Sequence, residues 1–363
     1  MQEGNSPFRQ VPVLYIVFLT TIALNWFKSY LTNRKQFVEI ENYRSEKETI
    51  SSGVPQGSIL GPILFLLYIN DLANLKIFGK LFSFVDDTSL LYKGNSISDI
   101  LIDINKDLIV LNRWFVSNLL TINISKTNFM TFSWRKTINK EAMMLKFHSV
   151  SCTGTSNNCV CPLLERVEKV KYLGLHISQN LNWTNQITQL SNKIRKLIPK
   201  LYHLRNTFSI KTLKQIYYAF VHSQLQQNIL VWGGTYKSIV DPLFKLQKAS
   251  LKVIYKKKKT FSSQEIFAIS DVLSLRNIFF YELIKDMHLK KDQIAQTDYK
   301  HLTRGVTAKN IKTPKFNLSA SQRYVKFLGP LVYNKLPSIL RTNLNTFQLK
   351  KHLKTYLMNL EDP

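Results

Sequence analysis

Residues 81–92 read LFSFVDDTSLLY. Apolar residues on both sides of an adjacent carboxylate pair predict a β-hairpin: strand Leu81 to Val85, a tight turn at Asp86-Asp87, and strand Thr88 to Tyr92, closed by Lys93-Gly94. Two neighbouring carboxylates repel each other, and a turn flanked by so many Leu and Phe side chains is expected to bury part of that charge. Such a site calls for a cation, and a divalent metal is the natural one. Taken alone, Phe84-Val85-Asp86-Asp87 fits a solvated Asp-Asp turn as well as it fits a metal site.

Upstream of the hairpin, Ser51-Ser52-Gly53-Val54-Pro55-Gln56-Gly57-Ser58 is a small-residue loop that runs into an apolar helix, Ile63 to Leu72, ended by Asn70-Asp71. Before it, Trp26 to Glu48 reads as a helix end, a basic turn at Asn33-Arg34-Lys35 and a strand from Gln36 to Ile40. Downstream, apolar residues at Ile100, Leu101, Ile104, Leu108, Leu111 and Phe115 predict a helix over Ser98 to Leu119, with Ser98 as N-cap and Asp99 in its first turn. Strands are expected around Leu120 to Ile122, Asn128 to Trp134 and Met144 to His148, and a further pair around Tyr172-Leu173-Gly174-Leu175-His176-Ile177. Strand and helix alternate without a parallel-sheet rhythm, so the fold class is α+β. Beyond Leu181 the spacing of Ile187, Leu190, Ile194, Leu197 and Leu201, and then of Leu213 to Leu230, is helical. A domain boundary is placed near residue 180.

Composition limits the partners. The 363 residues carry 50 Lys+Arg against 23 Asp+Glu, a formal charge of +27, which implies a polyanion, nucleic acid before an anionic membrane. Residues 301–363 hold eleven basic side chains and two acidic ones, and Lys256 to Lys259 form a second basic run. With 45% hydrophobic and 12% aromatic residues the chain can build cores and is not a disordered tail. Three cysteines exclude a cystine-stapled scaffold and fit a reducing compartment. The apolar run Val11 to Leu24 is too short to span a bilayer and is followed by no A-x-A site, so neither secretion nor stable membrane association is expected, and the chain is expected to be nuclear or cytoplasmic.

In the loop, glycines let the backbone approach a flat ligand, Pro55 stiffens the turn, and the Gln56 amide can hydrogen-bond a base or sugar; a plain helix-entry loop would read the same. Mg²⁺ takes one or two carboxylates plus phosphate oxygens, which suits nucleotidyl transfer by paired metals at Asp86 and Asp87. In order and spacing, SGVPQGSILGPILFLLYINDL (52–72), FVDDTSLLY (84–92), NISKTNFMTF (123–132) and VKYLGLHIS (170–178) resemble the later palm motifs of reverse transcriptases, nearest to those of non-LTR, LINE-type, jockey-like retrotransposons. The resemblance covers about residues 24 to 185; with lower specificity it extends to Trp183-Thr184-x-x-Ile187 and to HSQLQQNILVWGG (222–234).

The resemblance implies an RNA-directed DNA polymerase working with Mg²⁺, or Mn²⁺, on an RNA template, a DNA primer and dNTPs. It implies a partial palm of antiparallel sheet and helices over 24–180, a mostly helical, thumb-like basic region over 181–363, and an apolar segment unlike the family over 1–23. Asp86 and Asp87 match the metal-binding aspartates, Asp86 being the ligand of both ions. Gly53, Pro55, Gln56, Gly57 and Ser58 match the loop beside the incoming nucleotide and template. Lys126 matches the lysine near the triphosphate that protonates the leaving pyrophosphate, though an ordinary solvated lysine reads the same way. Tyr172, Leu173 and Gly174 match the hairpin that grips the primer. Such enzymes carry a third metal-binding carboxylate in a motif reading approximately F-D-x-x-x-A-F-D, ahead of a segment like Trp26 to Arg34. Here the one acid before Glu39 is Glu3, in an unrelated context, so the first half of the palm and its carboxylate are expected to be missing and the chain alone to have little or no polymerase activity. A relic that binds nucleic acid without catalysis is the other expectation.

Three weaker signals remain. His148, Cys152, Cys159 and Cys161 fall within fourteen residues, but H-x3-C-x6-C-x-C matches no common zinc spacing, and an insert between two strands is preferred to a Zn²⁺ site. Trp232-Gly233-Gly234 reads as a helix stop packed on a core rather than a base-stacking platform. Lys256 to Lys259 reads as a nucleic-acid contact, a nuclear localisation signal or a solvated helix end.

Overall fold

The computed structural model describes residues 21–50, 53–132, 143–149, 152, 159–295, 311–319, 321–341 and 344–360. Most of Val11 to Leu24, Ser51, Ser52 and the end of the strand expected at Asn128 to Trp134 lie outside them. The chain divides into two compact units, residues 1–130 with 135–167 and residues 131–134 with 168–363. The architecture is α+β, with small, mainly antiparallel sheets in the first unit and helices dominating the second. Among the described residues no helix is long and apolar enough to cross a membrane.

In the first unit, α1 (Thr21–Leu31) leads into β1 (Lys35–Gln36), β2 (Glu39–Ile40), β3 (Tyr43–Arg44) and β4 (Glu48–Thr49). The strand expected from Gln36 to Ile40 is thus two short strands, β1 pairing β4 outside the hairpin β2–β3. Then come α2 (Leu60–Ile69), continued by a 3₁₀ turn over Asn70–Asn74, the hairpin β5 (Lys80–Phe84) and β6 (Asp87–Leu91), and α3 (Ile97–Ser117). A 3₁₀ turn at Ile124–Lys126 precedes β7 (Asn128–Phe129), β8 (Leu145–Lys146) and β9 (Leu163–Arg166), which form one sheet in the order β7-β9-β8.

Helix α3 is the spine of this unit. Leu111 and Trp114 pack with Ile69 and Leu72 under Leu81 and Leu90 of the hairpin, while Leu108 packs with Leu145, Phe147 and Leu164 of the three-stranded sheet. Its N-cap position is Ser96, not Ser98, and the two hydroxyls lie 2.6 Å apart. The segment Leu120 to Ile122 is not a strand. Leu119 adopts the left-handed conformation (φ +55°), Leu120 N–H donates to the Phe115 carbonyl (2.8 Å) and Leu119 N–H to that of Val116 (3.1 Å). That pattern is a Schellman helix end, so the apolar residues terminate a helix instead of pairing in a sheet.

The second unit opens with a hairpin, β10 (Lys169–Tyr172) and β11 (Leu175–Ser178), followed by α4 (Thr184–Leu204) and α5 (Ile210–Tyr217). A π turn at Tyr218–His222 leads to α6 (Ser223–Gln226) and α7 (Ile229–Trp232); α8 (Lys237–Ile254), α9 (Ser263–Ser270), α10 (Leu275–Ala295), α11 (Val325–Asn334), α12 (Ser338–Arg341) and α13 (Thr346–Asn359) complete it. The helical spacing of Ile187, Leu190, Ile194 and Leu201 is the buried stripe of α4. Trp232 is fully buried, and a Cβ on Gly233 would meet Phe279 Cδ2 at 2.5 Å, so this sequence is a helix stop against a core. Lys256 to Lys259 lie exposed between α8 and α9.

His222 gives this unit a pH dependence. Burial, with a smaller push from Lys354 and against the pull of Glu282, lowers its pKa from 6.5 to about 4, and its Nδ1 is buried with no hydrogen-bond partner among the described residues. The unfolded chain therefore takes the proton first. The contribution of neutral His222 is complete above pH 6.5 and is lost as pH falls toward 4, at about 1.4 kcal/mol per pH unit at most. Urea midpoints of the second unit are expected to fall between pH 6.5 and 5, and His222→Phe to flatten that fall.

Candidate active site

The hairpin β5–β6 is registered Lys80↔Leu91, Leu81↔Leu90, Phe82↔Ser89, Ser83↔Thr88 and Phe84↔Asp87. Its turn is therefore Val85-Asp86, one residue earlier than the sequence predicts, and Asp87 opens β6. The cause is the register: pairing Leu81 with Leu90 sets both on the face that packs against Ile69, Leu72, Leu111 and Trp114. Val85 takes a left-handed conformation (φ +55°), costly for a β-branched residue. The expected burial of the turn is not found. Asp86 and Asp87 are exposed, Phe84 is 59% exposed, and Lys80, Phe82, Phe84, Asp87 and Leu91 share the outward face. Only the opposite face meets the core, so the pair lies open to solvent. Among the described residues no ion pair reaches either carboxylate, and β5 and β6 pair with no further strand.

The base of the hairpin is fixed by a residue that motif reasoning passes over. Asp107, on α3 and 1% exposed, accepts hydrogen bonds from Phe78 N–H (3.1 Å) and Gly79 N–H (2.8 Å), immediately before β5, and from the Tyr92 hydroxyl (2.9 Å), immediately after β6. One carboxylate thus clamps both ends of the strand pair. Burial, then the Asp107 hydrogen bond and charge, push the Tyr92 hydroxyl well above the usual tyrosine range. The signal was present in the sequence: Asp107 lies three residues after Ile104 and four before Leu111, on the apolar stripe of α3, where an acid must find buried donors.

The loop before α2 is shaped by its glycines. Gly53 and Gly57 have φ of +81° and +78°, and nothing lies within 4 Å of a Cβ built on either, so conformation rather than space selects them. The Ser58 hydroxyl donates to the Pro55 carbonyl (2.8 Å) and accepts from Gly61 N–H (3.0 Å), closing the loop onto α2. Arg34, from the turn after α1, donates to the Gly53 carbonyl. Gln56 projects from this loop exposed.

Lys126 ends the 3₁₀ turn whose cap is the Asn123 side chain, and it is exposed. Among the described residues no hydrogen bond or ion pair joins it to Asp86, Asp87 or the loop. These groups all belong to the first unit. Tyr172, Leu173 and Gly174 belong to the second, where Tyr172 pairs with Leu175 across a two-residue turn with φ of +45° at Leu173 and +81° at Gly174. A side chain at Gly174 would be strained and would meet Gln227 Nε2 at 3.1 Å.

The second unit adds a surface not singled out by the motifs. On α4, Lys193, Arg195, Lys196 and Lys200 are exposed outside the buried stripe. Toward the end of that helix Tyr202, 51% exposed, lies under the guanidinium of Arg205, 3.7 Å from its ring centroid. Cations interleaved with an exposed aromatic ring suit a nucleic-acid strand, which offers phosphates and stacking faces together.

Residues 8–177 match the family model described as reverse transcriptase (RNA-dependent DNA polymerase). That span starts ahead of Trp26, where the recognisable motifs begin. The chain is 26% identical over 253 residues to the RNA-directed DNA polymerase from mobile element jockey of Drosophila melanogaster, covering 67% of this chain and 25% of that relative. It is 28% identical over 237 residues to the corresponding polymerase of Drosophila funebris (62% and 24%), and 25% identical over 237 residues to the probable RNA-directed DNA polymerase from transposon BS of Drosophila melanogaster (62% and 25%). The chain thus spans about a quarter of the length of these relatives. No solved structure is significantly similar to it.

Proposed function

Given that the chain carries a reverse transcriptase domain homologous to the RNA-directed DNA polymerases of jockey-like mobile elements, we propose that it supplies the catalytic hairpin and the primer-side helices of such an enzyme. Its substrates would be an RNA template, a DNA primer and dNTPs. The observation that carries this reading is an exposed carboxylate pair on a strained turn whose base is clamped from the core by Asp107. Strain next to carboxylates that serve no ion pair among the described residues is a mark of function rather than of stability.

In this reading Asp86 and Asp87 hold Mg²⁺, with Mn²⁺ as its substitute. The donor set fits: hard carboxylate oxygens on adjacent residues, exposed, with room for phosphate oxygens and water. When bound, the ions neutralise charge on the transferring phosphate and favour ionisation of the attacking 3′-hydroxyl. Gly53, Pro55, Gln56, Gly57 and Ser58 line the nucleotide and template, Lys126 protonates the leaving pyrophosphate, and Tyr172, Leu173 and Gly174 hold the primer end. Among the described residues no strand pairs with the hairpin's edges, where a further strand bearing a third carboxylate would add. No F-D-x-x-x-A-F-D motif occurs in these 363 residues. Without that carboxylate the 3′-hydroxyl is not held in line with the α-phosphate, so this chain by itself binds nucleic acid and incorporates little. The basic face of α4 favours the binding half of that statement, and equally a relic that binds without catalysing.

The metal assignment is tested with Mn²⁺, whose electron paramagnetic resonance signal is lost on binding. Titration of the full chain is expected to reveal a weak site, and Asp86→Asn to weaken it at least tenfold with the far-ultraviolet circular dichroism unchanged. Equal Mn²⁺ binding by the two proteins would refute the assignment.

A further inference from the structure

The insert between β8 and β9 carries a second chemistry, unconnected with the polymerase motifs. His148, Cys152, Cys159 and Cys161 each offer a ligand atom, and the four atoms lie within 4.8 Å of one another. Sequence spacing gave no reason to expect this, because the ligands are gathered by strand pairing rather than by a knuckle of local sequence. The β8–β9 register, Leu145↔Leu164 and Lys146↔Leu163, is prolonged by the hydrogen bond from Phe147 N–H to the Pro162 carbonyl (2.8 Å). One step further, the same register sets His148 opposite Cys161. Cys159 is the next residue but one on the segment leading into β9. Cys152 is turned back by its N–H donating to the Ser149 carbonyl (3.0 Å).

We propose that His148, Cys152, Cys159 and Cys161 form a tetrahedral Cys₃His site for a structural Zn²⁺ ion that fastens β8 to β9. The distances fit the ion. His148 Nδ1 lies 3.4 Å from Cys152 Sγ and 3.5 Å from Cys159 Sγ. Zn–N near 2.0–2.1 Å and Zn–S near 2.3 Å at tetrahedral angles require N···S edges of about 3.6 Å. Nδ1 is therefore the ligating nitrogen. Three thiolates soften the site toward zinc and away from Mg²⁺, which seeks oxygen. They also leave a Zn²⁺ complex with one negative charge, and the Lys146 ammonium lies 3.8 Å from Cys159 Sγ and 3.0 Å from the Cys159 carbonyl oxygen. The backbone of His148 is itself held, its carbonyl accepting from the buried Asn112 amide of α3 at 2.7 Å. Four ligands closed around the ion leave no open position, which marks a structural rather than a catalytic zinc. The sheet so fastened contains Leu145, Phe147 and Leu164, the core against which Ile124 and Phe129 pack on either side of Lys126.

The experiment uses the full chain, purified under reducing conditions and supplied with ZnCl₂. Elemental analysis is expected to find one zinc per chain after dialysis, and Co²⁺ in its place to give the visible bands of a tetrahedral thiolate complex. Zn²⁺ should shield all three cysteines from iodoacetamide, a readout that needs no variant. Cys159→Ser and Cys161→Ser should each weaken zinc binding by more than the roughly 10- to 100-fold typical of losing an outer-shell partner. Substoichiometric zinc with equal alkylation in its presence and absence would overturn the proposal. So would a disulfide among the three cysteines that persists under reduction, or a Co²⁺ spectrum without thiolate bands.

Discussion

Asp107→Ala should lower the stability of the first unit by about 4 kcal/mol. The carboxylate accepts three hydrogen bonds while almost wholly buried, and a hydrogen bond to a charged group contributes about 1.5–3 kcal/mol. Removing the acceptor leaves two backbone N–H groups and a hydroxyl buried without a partner, and partial relaxation keeps the total below the simple sum. Asp107→Asn keeps an acceptor oxygen and should cost less, about 1–2 kcal/mol; Tyr92→Phe, which removes one donor, should cost about 1 kcal/mol. In Asp107→Asn the Tyr92 hydroxyl should also titrate at lower pH, since the carboxylate contributes to raising it. Hydrogen exchange gives the local signature, with the Phe78 and Gly79 amides losing protection first. A cost below about 1 kcal/mol for Asp107→Ala would mean that water replaces the carboxylate and that the hairpin base is not clamped from α3.

Replacing Lys193, Arg195, Lys196 and Lys200 together by alanine should weaken binding of single-stranded RNA by about a hundredfold near physiological salt. Each phosphate contact contributes about 0.7 to the slope of log affinity against log salt for a single strand, so four contacts lower it by about 3. All four side chains are exposed on α4, away from the stripe of Ile187, Leu190, Ile194 and Leu201 that holds the helix in its core, so the fold should survive. Fluorescence anisotropy from low to high salt separates the two quantities. An unchanged slope would place the phosphate contacts on another basic surface, such as Lys256 to Lys259.

What the sequence made legible was periodicity and local turn chemistry. The stripes of α3 and α4 are visible because a helix repeats its buried face every three or four residues over six turns. The loop at Gly53 to Ser58 is visible because glycine and proline restrict the backbone locally, and the Leu173-Gly174 turn for the same reason. Features set by packing at a distance were less legible. The hairpin turn lies at Val85-Asp86 because Leu81 must pair with Leu90 over α3, although Asp86-Asp87 is the better turn sequence. Leu119 to Ile122 has strand-like side chains but ends a helix. Burial of the aspartate pair failed as an expectation because a two-stranded sheet has two faces, and only one of them found a core. Asp107 and the His148–Cys161 cluster join residues fifteen or more positions apart, or strand ends, and neither belongs to a short motif.

Primer extension tests the account most directly. Full chain, folded by circular dichroism, is incubated with an RNA template, an annealed DNA primer, dNTPs and Mg²⁺ or Mn²⁺, beside Asp86→Asn. On the proposed reading the expected result is no incorporation by either protein together with salt-sensitive template binding by both, because α4 offers exposed cations to phosphates and no F-D-x-x-x-A-F-D motif supplies a third carboxylate. Incorporation by the wild-type chain that disappears in Asp86→Asn would contradict this. It would mean that the 363 residues hold a complete two-metal site.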